Sequence, residues 1–369
     1  MDNKIKTIAF YLPQFHQIKE NDEWWGEGFT EWTNMKKAKA LYENHYQPRI
    51  PLNNNYYNLT EIDTIRWQAK LARKYGVDGF CIYHYWFNGK MLLQKPMELL
   101  LDNPDIDIGY CICWANESWT NAWVSSQNKV LIEQTYGDKS EWEAHFKYFL
   151  QFFKDPRYIL DHNRPILVIY RPELIPDLNN MLRYWDELAK EYGFDGICFG
   201  YQQSGLDDMK KDNSMFSLDI EYQPKYALKD KDEKNIVRKK LRNIVDRLNQ
   251  TVFSNHVIQR NSIEVRRYDY DEIWKYVLER KAHSEKSVAG AFVDWDNTPR
   301  RGTNGLVFEG SSPEKFKHYI KKQYKNVREN YTQPYLFVFA WNEWAEGGYL
   351  EPDEKYGTAY LEAIREAQN

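Results

Sequence analysis

The segment PYLFVFAWNEWAEGGYLEP, residues Pro334–Pro352, decides both the fold class and the candidate site of this chain. It begins with Tyr335–Phe339, an unbroken apolar and aromatic run that is typical of a strand buried on both faces of a parallel sheet. Asn342, Glu343 and Glu346 follow that run, interleaved with two tryptophans. Carboxylates beside indole rings are costly to ionise, and such pairs are typical of acid/base sites. The alternative is a helix N-terminus whose glutamates compensate the helix dipole.

Strand-like runs of the same kind alternate with amphipathic helical segments along nearly the whole chain. This alternation predicts parallel βαβ units. No glycine-rich fingerprint follows the first run, which disfavours a doubly wound dinucleotide-binding sheet. The sequence therefore predicts an α/β fold, a single (β/α)8 TIM barrel over residues 1–369. The eight predicted strands are Ile5–Leu12, Asp78–Tyr85, Ile108–Trp114, Pro165–Tyr170, Gly196–Tyr201, Leu218–Tyr222, Val288–Trp295 and Pro334–Trp341.

Two connections between the predicted strands depart from a plain barrel. The first βα connection, Gln14–Tyr57, is too long for an ordinary loop, and loops of that length are usually functional. Between strands 6 and 7, residues 229–281 are dense in charge, which predicts solvated helices and a subdomain that walls the site. The other connections predict helices at Leu59–Tyr75 with Thr60 as cap, Met91–Leu101, Ser140–Phe153, Leu178–Tyr192, Pro313–Asn330 and Thr358–Ala367.

Polar and aromatic residues concentrate where the predicted strands end, and the C-terminal strand ends carry the active site of a TIM barrel. We predict Glu343 and Glu346 as catalytic residues. For His84 a structural role is an equal alternative, and for Tyr170, Tyr222 and Trp295 packing at the barrel rim is the alternative. The predicted substrate-binding residues are Tyr11, His84, Trp86, Asn116, Glu117, Trp119, Tyr170, Glu221, Tyr222, Asp294, Trp295, Asn342 and Trp344.

The composition indicates a carbohydrate-binding groove and gives no sign of a nucleic-acid partner. The chain carries a net charge of −4, so its charge balance favours neither nucleic acid nor an anionic membrane. Aromatic residues make up 16% of it, including 14 Trp and 28 Tyr, and flat rings with one polar edge suit sugar faces. Acid–indole pairs recur, as at Glu31-Trp32, and predict sugar-binding corners. Two interpretations of Trp24, Trp25 and Trp32 stay open: they line the groove, or they form the core of the long first connection.

Neither a membrane segment nor a secretion signal is predicted. No apolar stretch approaches the length of about 18 residues that a transmembrane helix needs. No small-residue cleavage site follows the first apolar run, so we predict a cytoplasmic location. The cysteines, which lie in strand-like runs, are expected to be reduced and buried. They are Cys81, Cys111, Cys113 and Cys198.

The motif Asp294-Trp295-Asp296 is the one sequence pattern that suggests a metal site. Asp-x-Asp is the metal-ligand signature of nucleotide-sugar transferases, in which a divalent ion neutralises the diphosphate. No nucleotide-binding unit precedes it here, and no His, Cys and Asp cluster has metal-ligand spacing. We therefore interpret Asp294 as a carboxylate that contacts or supports the substrate. No metal and no cofactor are predicted.

Seven segments, in order along the chain, resemble the WbsX-type family. Members of this family occur in lipopolysaccharide and O-antigen gene clusters, are often described as glycosyltransferases, and carry a domain similar to glycoside hydrolase family 99. The resemblance spans nearly the whole chain and implies a barrel that acts on glycosidic bonds of an oligosaccharide or polysaccharide. The matching segments are Tyr11–Trp32, Gln47–Leu52, Phe80–Phe87, Cys113–Thr120, Val168–Glu173, Asp294–Arg300 and Ala340–Asp353.

The resemblance also implies a mechanism. Family 99 is similar to endo-α-mannosidases that retain anomeric configuration and act through a 1,2-anhydro sugar. Carried over to this sequence, Glu343 is the base that takes the proton of the sugar 2-hydroxyl. Glu346 is the acid that protonates the leaving oxygen and then the base that activates water. Residues at i and i+3 of a helical turn lie about 5–6 Å apart at Cβ, a spacing that favours a retaining enzyme.

Two other functions stay open at this point. One is a nucleotide-sugar-dependent glycosyltransferase of O-antigen or lipopolysaccharide assembly, and the other is a glycan-binding protein without catalysis. The sequence makes no prediction of the oligomeric state, the sugar or the linkage.

Overall fold

Eight parallel strands close into a barrel at the centre of the computed structural model, which describes residues 4–120, 129–205, 212–232 and 265–368. Each strand pairs with its neighbours in sequence, and the last strand pairs with the first, with Thr7 opposite Leu336. The predicted (β/α)8 barrel and its eight strands are confirmed. The strands are β1 Lys6–Tyr11, β2 Gly79–Phe87, β3 Gly109–Trp114, β4 Arg164–Ile169, β5 Cys198–Gln203, β6 Phe216–Glu221, β7 Ser287–Phe292 and β8 Tyr335–Phe339.

The longer helices lie between the strands and bury one face each. In the helix that follows β4, Met181, Trp185 and Ala189 are fully buried, as the 3.6-residue period requires. The helices are α1 Lys19–Trp25, α2 Glu31–Lys37, α3 Ile62–Lys74, α4 Lys95–Asp102, α5 Lys139–Phe153, α6 Leu178–Glu191, α7 Tyr270–Glu279, α8 Thr298–Arg301, α9 Pro313–Asn330 and α10 Ala359–Gln368.

Two predicted helix starts were wrong. Thr60 does not cap α3, because its hydroxyl donates to Asn58 Oδ1 at 2.8 Å and the helix begins two residues later. Met91 belongs to the short strand Lys90–Leu92, which pairs antiparallel with the end of β2. Helix α4 therefore starts only at Lys95, with a proline in its first turn.

Short elements complete the loops at the barrel ends. The short paired strands are Trp119–Thr120 with Val130–Ile132, Arg266–Asp269 with Leu306–Glu309, Asn342–Glu343 with Gly348–Tyr349, and Leu160–Asp161 with the start of β4. The 3-10 turns are Leu52–Asn54, Pro172–Leu174, Gly302–Asn304 and Trp344–Glu346. Of the predicted charged insertion, residues 233–264 lie outside the described residues, so the subdomain stays a prediction.

Aromatic side chains fill the barrel interior. The ring of Phe10 lies 5.8 Å from Tyr83, 5.6 Å from Tyr222 and 5.6 Å from Phe337, measured between centroids. These rings come from β1, β2, β8 and the residue that follows β6, so the barrel is a packed core and not a pore. The four cysteines are buried and unpaired. Within the described residues, no helix has both the length and the apolar character to cross a membrane.

Glu221, the last residue of β6, is buried outside the barrel beside the end of α9. Tyr331 donates a hydrogen bond to its Oε1 at 2.9 Å, and its Oε2 has no hydrogen-bond partner. Burial raises the pKa of Glu221 to about 8, although Arg280 and Tyr331 act in the opposite direction. Its unfolded pKa is about 4.3. The protonated carboxyl therefore stabilises the fold below that value, and this contribution is lost as the pH rises toward 8.

We expect Glu221→Gln, which cannot ionise, to gain stability relative to the wild type as the pH rises. The difference in the free energy of unfolding should change by up to about 1.4 kcal/mol per pH unit between about pH 5 and pH 8. Urea unfolding at several pH values measures it. Glu187→Gln, on the exposed face of α6, is the matched control. A difference for Glu221→Gln that is independent of pH contradicts this account.

Candidate active site

A cavity of about 490 Å³ opens at the end of the barrel where the C-terminal ends of the strands meet. Its walls combine aromatic, charged and small polar residues, which come from the strand ends, from the long first connection and from α8. Flat rings with polar edges suit the faces and hydroxyls of sugars. The aromatic residues of the lining are Trp25, Phe29, Tyr83, Tyr85, Trp119, Tyr170, Tyr222 and Phe339, and its acidic and basic residues include Glu31, Glu117, Arg300, Arg301, Glu343 and Glu346.

The two predicted catalytic glutamates lie on a tight turn after β8. Asn342–Glu343 pairs with Gly348–Tyr349, and the residues between them form the single 3-10 turn Trp344–Glu346. Gly347 closes the turn with a φ of 70°, and a Cβ there would meet Asp296 N at 2.9 Å. The segment is therefore a hairpin with a short turn, and the alternative of a helix N-terminus is wrong.

Arg300, from α8, joins the carboxylates of this turn. Its Nη2 lies 3.0 Å from Glu343 Oε1, and its Nη1 lies 3.1 Å from Glu346 Oε1. The same Nη2 donates to Glu31 Oε2 at 2.9 Å. The Glu343 contact is an ion pair without hydrogen-bond geometry. The Arg300 side chain is only 9% exposed, so one buried cation faces three acids.

The charge imbalance of this cluster sets the protonation of the two glutamates. Burial raises the pKa of Glu343 well above its usual range, the charges of Glu346 and Glu31 raise it further, and Arg300 opposes the shift. Burial also raises the pKa of Glu346, where Arg300 again opposes and Glu31 adds. Like charges this close disfavour ionisation of both carboxyls, so the pair tends to keep one proton. A carboxylate and a carboxylic acid side by side is the requirement of acid/base catalysis.

Four of the predicted substrate-binding residues line the same cavity as the glutamate pair. They are Glu117, Trp119, Tyr170 and Tyr222. Glu117 accepts a hydrogen bond from Arg171 at 3.2 Å at the rim. The Trp119 ring lies 5.1 Å from Tyr85 in an edge-to-face contact.

The predicted residues Tyr11, His84 and Trp86 are on the outer side of the barrel, away from the cavity. The Tyr11 hydroxyl donates to Gln68 Oε1 of α3 at 2.7 Å. His84 Nε2 lies 3.0 Å from His145 Nε2 of α5, and the Trp86 ring stacks on the same histidine at 4.3 Å. Successive side chains of a strand point to opposite faces, so these three face the helices. Glu221 faces outward for the same reason.

Two predicted asparagines hold neighbouring loops together by their amides. Asn116 donates from Nδ2 to the carbonyl of Arg171 at 2.7 Å and accepts from the Arg171 N–H at 2.8 Å. Asn342 accepts from the Leu12 N–H at 2.8 Å and donates to the Leu12 carbonyl at 3.0 Å. Both side chains are fully buried, so each amide is used by the protein backbone and not by the cavity.

The predicted residues Trp344 and Trp295 also lie behind the cavity wall. The Trp344 ring stacks on Tyr349 at 3.8 Å, and its indole N–H donates to Glu351 Oε2 at 2.7 Å. The Trp295 ring packs against Phe339, with 5.7 Å between centroids. These indoles support lining residues.

Asp294 belongs to a buried ion-pair network that anchors the long first connection. Arg49 Nη2 donates to Asp294 Oδ2 at 2.8 Å. Asp296 Oδ2 accepts from Gln47 Nε2 at 2.7 Å and lies 2.9 Å from His45 Nε2. Although burial acts in the opposite direction, hydrogen bonds and Arg49 lower the pKa of Asp296 to about 2. Both carboxylates of the Asp-x-Asp motif are therefore engaged by protein groups. Among the described residues, no cluster of His, Cys, Asp or Glu is arranged to hold a metal ion.

The residues that sequence reasoning missed are Arg300, Tyr83, Tyr85 and Phe339. The two tyrosines alternate with His84 along β2, so the face of that strand would have identified them. Glu31 was indicated by the sequence as part of a sugar-binding corner, because it belongs to an acid–indole pair on the long first connection. Arg300 lies in the four-residue helix α8, which is too short to show a periodic pattern. The sequence includes it only as the last residue of the family-like segment Asp294–Arg300 and gives it no role.

Comparisons with known proteins place the chain in a family. The family model described as Glycosyltransferase WbsX matches residues 7–364. Two curated relatives are 33% identical to this chain over 362 residues. Both are named uncharacterized protein WxcX, and they come from two strains of Xanthomonas campestris pv. campestris. The match covers 98% of this chain and 49% of each relative. The chain thus spans about half the length of the curated relatives it matches.

Solved structures share the barrel. The GH99 endo-alpha-mannosidase from Bacteroides thetaiotaomicron aligns with a TM-score of 0.56 and 14% identity, over 100% of this chain and 97% of that chain. A glycoside hydrolase-like protein aligns with a TM-score of 0.61 and 12% identity, over 99% and 94% of the two chains. At such identities these neighbours show the fold alone. The family match confirms the resemblance, and the chain belongs to the WbsX glycosyltransferase family, a group of carbohydrate-active enzymes.

Proposed function

We propose that this chain cleaves or transfers glycosidic bonds of a cell-surface oligosaccharide or polysaccharide, with Glu343 and Glu346 carrying the proton transfers. The observation that supports it best is the buried Arg300 between two carboxylates in an aromatic-lined cavity. The resemblance to family 99, and the endo-alpha-mannosidase among the solved structures that share the barrel, make an α-mannosidic linkage the first substrate to test.

The proposed reaction proceeds in two balanced steps. In the first, Glu343 takes the proton of the 2-hydroxyl while O2 attacks C1, and Glu346 gives its proton to the leaving glycosidic oxygen. This forms a 1,2-anhydro sugar and releases one part of the glycan. In the second, Glu346 takes a proton from water or an acceptor hydroxyl, which attacks C1, and Glu343 returns its proton to O2. Both steps begin with one proton on the pair.

The environment of each glutamate suits its proposed role. The raised pKa of Glu343 makes its carboxylate a stronger base than a solvated glutamate, as removal of a hydroxyl proton requires. Burial raises the pKa of Glu346 as well, so the pair shares a proton, which the first step requires on Glu346. Glu346 is the more exposed of the two, with 15% of its side chain accessible against 6% for Glu343, so it is better placed to meet the leaving group.

A nucleotide-sugar-dependent transferase is the second candidate, favoured by the description of the family. The acids of the cavity floor count against it, since a diphosphate would meet Glu31, Glu343 and Glu346 around Arg300. A purely glycan-binding protein would have no use for a carboxylate pair with raised pKa values.

Glu343→Gln and Glu346→Gln should each lower kcat by about 10²–10⁴-fold, because each removes one proton-transfer group. Release or transfer of fluorescently labelled glycans, with α-mannosides in the panel, measures it. Glu187→Gln on the outside of α6 is the control for handling and folding. Full activity in either site variant contradicts the assignment of Glu343 and Glu346 as the proton-transfer groups.

The two glutamates should separate when the substrate is a glycosyl fluoride, whose leaving group needs little protonation. Glu346→Gln should then release its first equivalent of fluoride almost as fast as the wild type and slow only afterwards, because the second step still needs Glu346 as a base. Glu343→Gln should lose even the first equivalent, because the 2-hydroxyl proton still has to be removed. A fluoride electrode follows the reaction. The opposite pattern would exchange the two roles.

Arg300→Met should lower kcat and move the acidic limb of the pH profile of kcat/KM to higher pH. Arg300 favours the ionised form of both glutamates, so its removal raises both pKa values further. Circular dichroism checks that the variant folds, and Arg66→Met, on the surface of α3, is the matched control. If the acidic limb stays at the wild-type pH in Arg300→Met, the proposed coupling is contradicted.

A further inference from the structure

A second cavity, of about 650 Å³, lies on the other side of the catalytic turn. Trp344, whose position in the chain is between the two catalytic glutamates, contributes to its wall together with Glu351. The opposite wall is built from residues 51–58 of the long first connection and from Trp67 of α3. Its volume falls within the range of about 300–1,000 Å³ that is usual for small-ligand sites.

Aromatic side chains give this cavity flat apolar surfaces. Trp67 and Tyr56 line it and are half-buried, while Tyr57 and Trp344 are buried in its wall. Within the described residues, the Trp67 indole has a ring contact with Tyr57 at 6.1 Å and its N–H makes no hydrogen bond. An aromatic ring with an unused polar edge offers both stacking and a donor to a ligand.

Three consecutive asparagines stand at the rim of the cavity with their backbones held in place. The Asn53 N–H donates to Glu354 Oε1 at 2.5 Å, and the Asn54 N–H donates to Pro51 O at 2.9 Å. In the part of the chain that the structure describes, the side-chain amides of Asn53–Asn55 form no hydrogen bonds. Each amide therefore offers donors and an acceptor to a ligand, on a backbone that needs little further ordering.

Backbone conformation explains only part of this asparagine run. Asn53 and Asn54 have φ of 58° and 54°, a left-handed conformation that asparagine tolerates better than most residues. Asn55 has a φ of −73°, which any residue adopts. Turn geometry therefore accounts for two of the three amides and leaves the third without a structural reason.

The charges of the lining disfavour anionic ligands. The lining contains no lysine and no arginine, and its two acids are Glu61 and Glu351. Glu351 is already occupied, because it accepts hydrogen bonds from Tyr57 at 2.8 Å, Gln68 at 2.7 Å and Trp344 at 2.7 Å. Within the lining, phosphates, nucleotides and uronic acids would find no cation. Outside it, Lys36 Nζ lies 4.3 Å from the centroid of the Tyr56 ring and covers one face of that ring. A neutral molecule with hydroxyls and apolar faces matches the remaining groups.

We propose that this second cavity binds a neutral oligosaccharide segment, with sugar rings against Trp67 and Tyr56 and hydroxyls on the amides of Asn53–Asn55. The site needs no chemistry at Glu343 or Glu346, so it goes beyond the proposed reaction. It would hold a further part of a glycan next to the catalytic turn.

The test uses an array of neutral bacterial glycans and mannose oligosaccharides, with binding constants of the bound glycans then measured by calorimetry. The Glu346→Gln variant serves as the parent, to prevent turnover. Adding Trp67→Ala or Asn55→Ala should weaken binding by about tenfold or more, the effect of losing one stacking or amide contact. Asn55 is exposed, so its variant keeps the test valid if Trp67→Ala fails to fold.

The matched control is Trp25→Ala in the catalytic cavity. If Trp25→Ala abolishes binding while Trp67→Ala and Asn55→Ala bind like the parent, the glycan lies only in the catalytic cavity and the proposal fails. If no neutral glycan of the array binds the parent, the proposal also fails. Binding that depends on Trp67 and Asn55 supports the second site even if the wild type turns over no glycan, an outcome that would overturn only the proposed reaction.

Discussion

One buried guanidinium, that of Arg300, organises the mouth of this barrel. It faces Glu31 from the first βα connection and Glu343 and Glu346 from the turn after β8. A buried charge without a partner costs several kcal/mol, so the elements that carry these side chains must meet. The same contact that joins the loops also sets the protonation of the proposed acid/base pair. Structure and chemistry depend here on a single interaction.

The Arg49 network does comparable work on the other side of the mouth. It ties residues 45–49 to the two aspartates after β7, and the Asp296 N–H donates to Glu346 O at 2.7 Å. The turn that carries the two proposed catalytic glutamates is thus held from outside by backbone contacts as well as from inside by Arg300. Buried ion pairs add little net stability compared with apolar packing, and their contribution is a defined geometry. A proton-transfer pair needs that geometry more than it needs stability.

Aromatic residues divide into two groups by the face of the strand on which they lie. Tyr83, Tyr85 and Phe339 line the candidate active-site cavity, whereas Trp86 and Trp114 pack against α5 and α6. Trp344 belongs to neither group, because it lies in the wall of the second cavity. The high aromatic content therefore serves both the packing of the barrel and the lining of two cavities.

The sequence by itself determined the eight strands, because buried parallel strands are continuous apolar runs that need no knowledge of their neighbours. It also predicted the glutamate pair as the candidate acid/base site, since two acids among tryptophans are unusual at any strand end. Only the tertiary structure decided which strand-end residues face the cavity. A shift of one residue reverses the face of a strand, and sequence boundaries are not accurate to one residue, so Tyr11, His84 and Trp86 were assigned to the site. It also decided the meeting of Arg300 with Glu31, because contacts between residues so distant in sequence exist only once the barrel has closed.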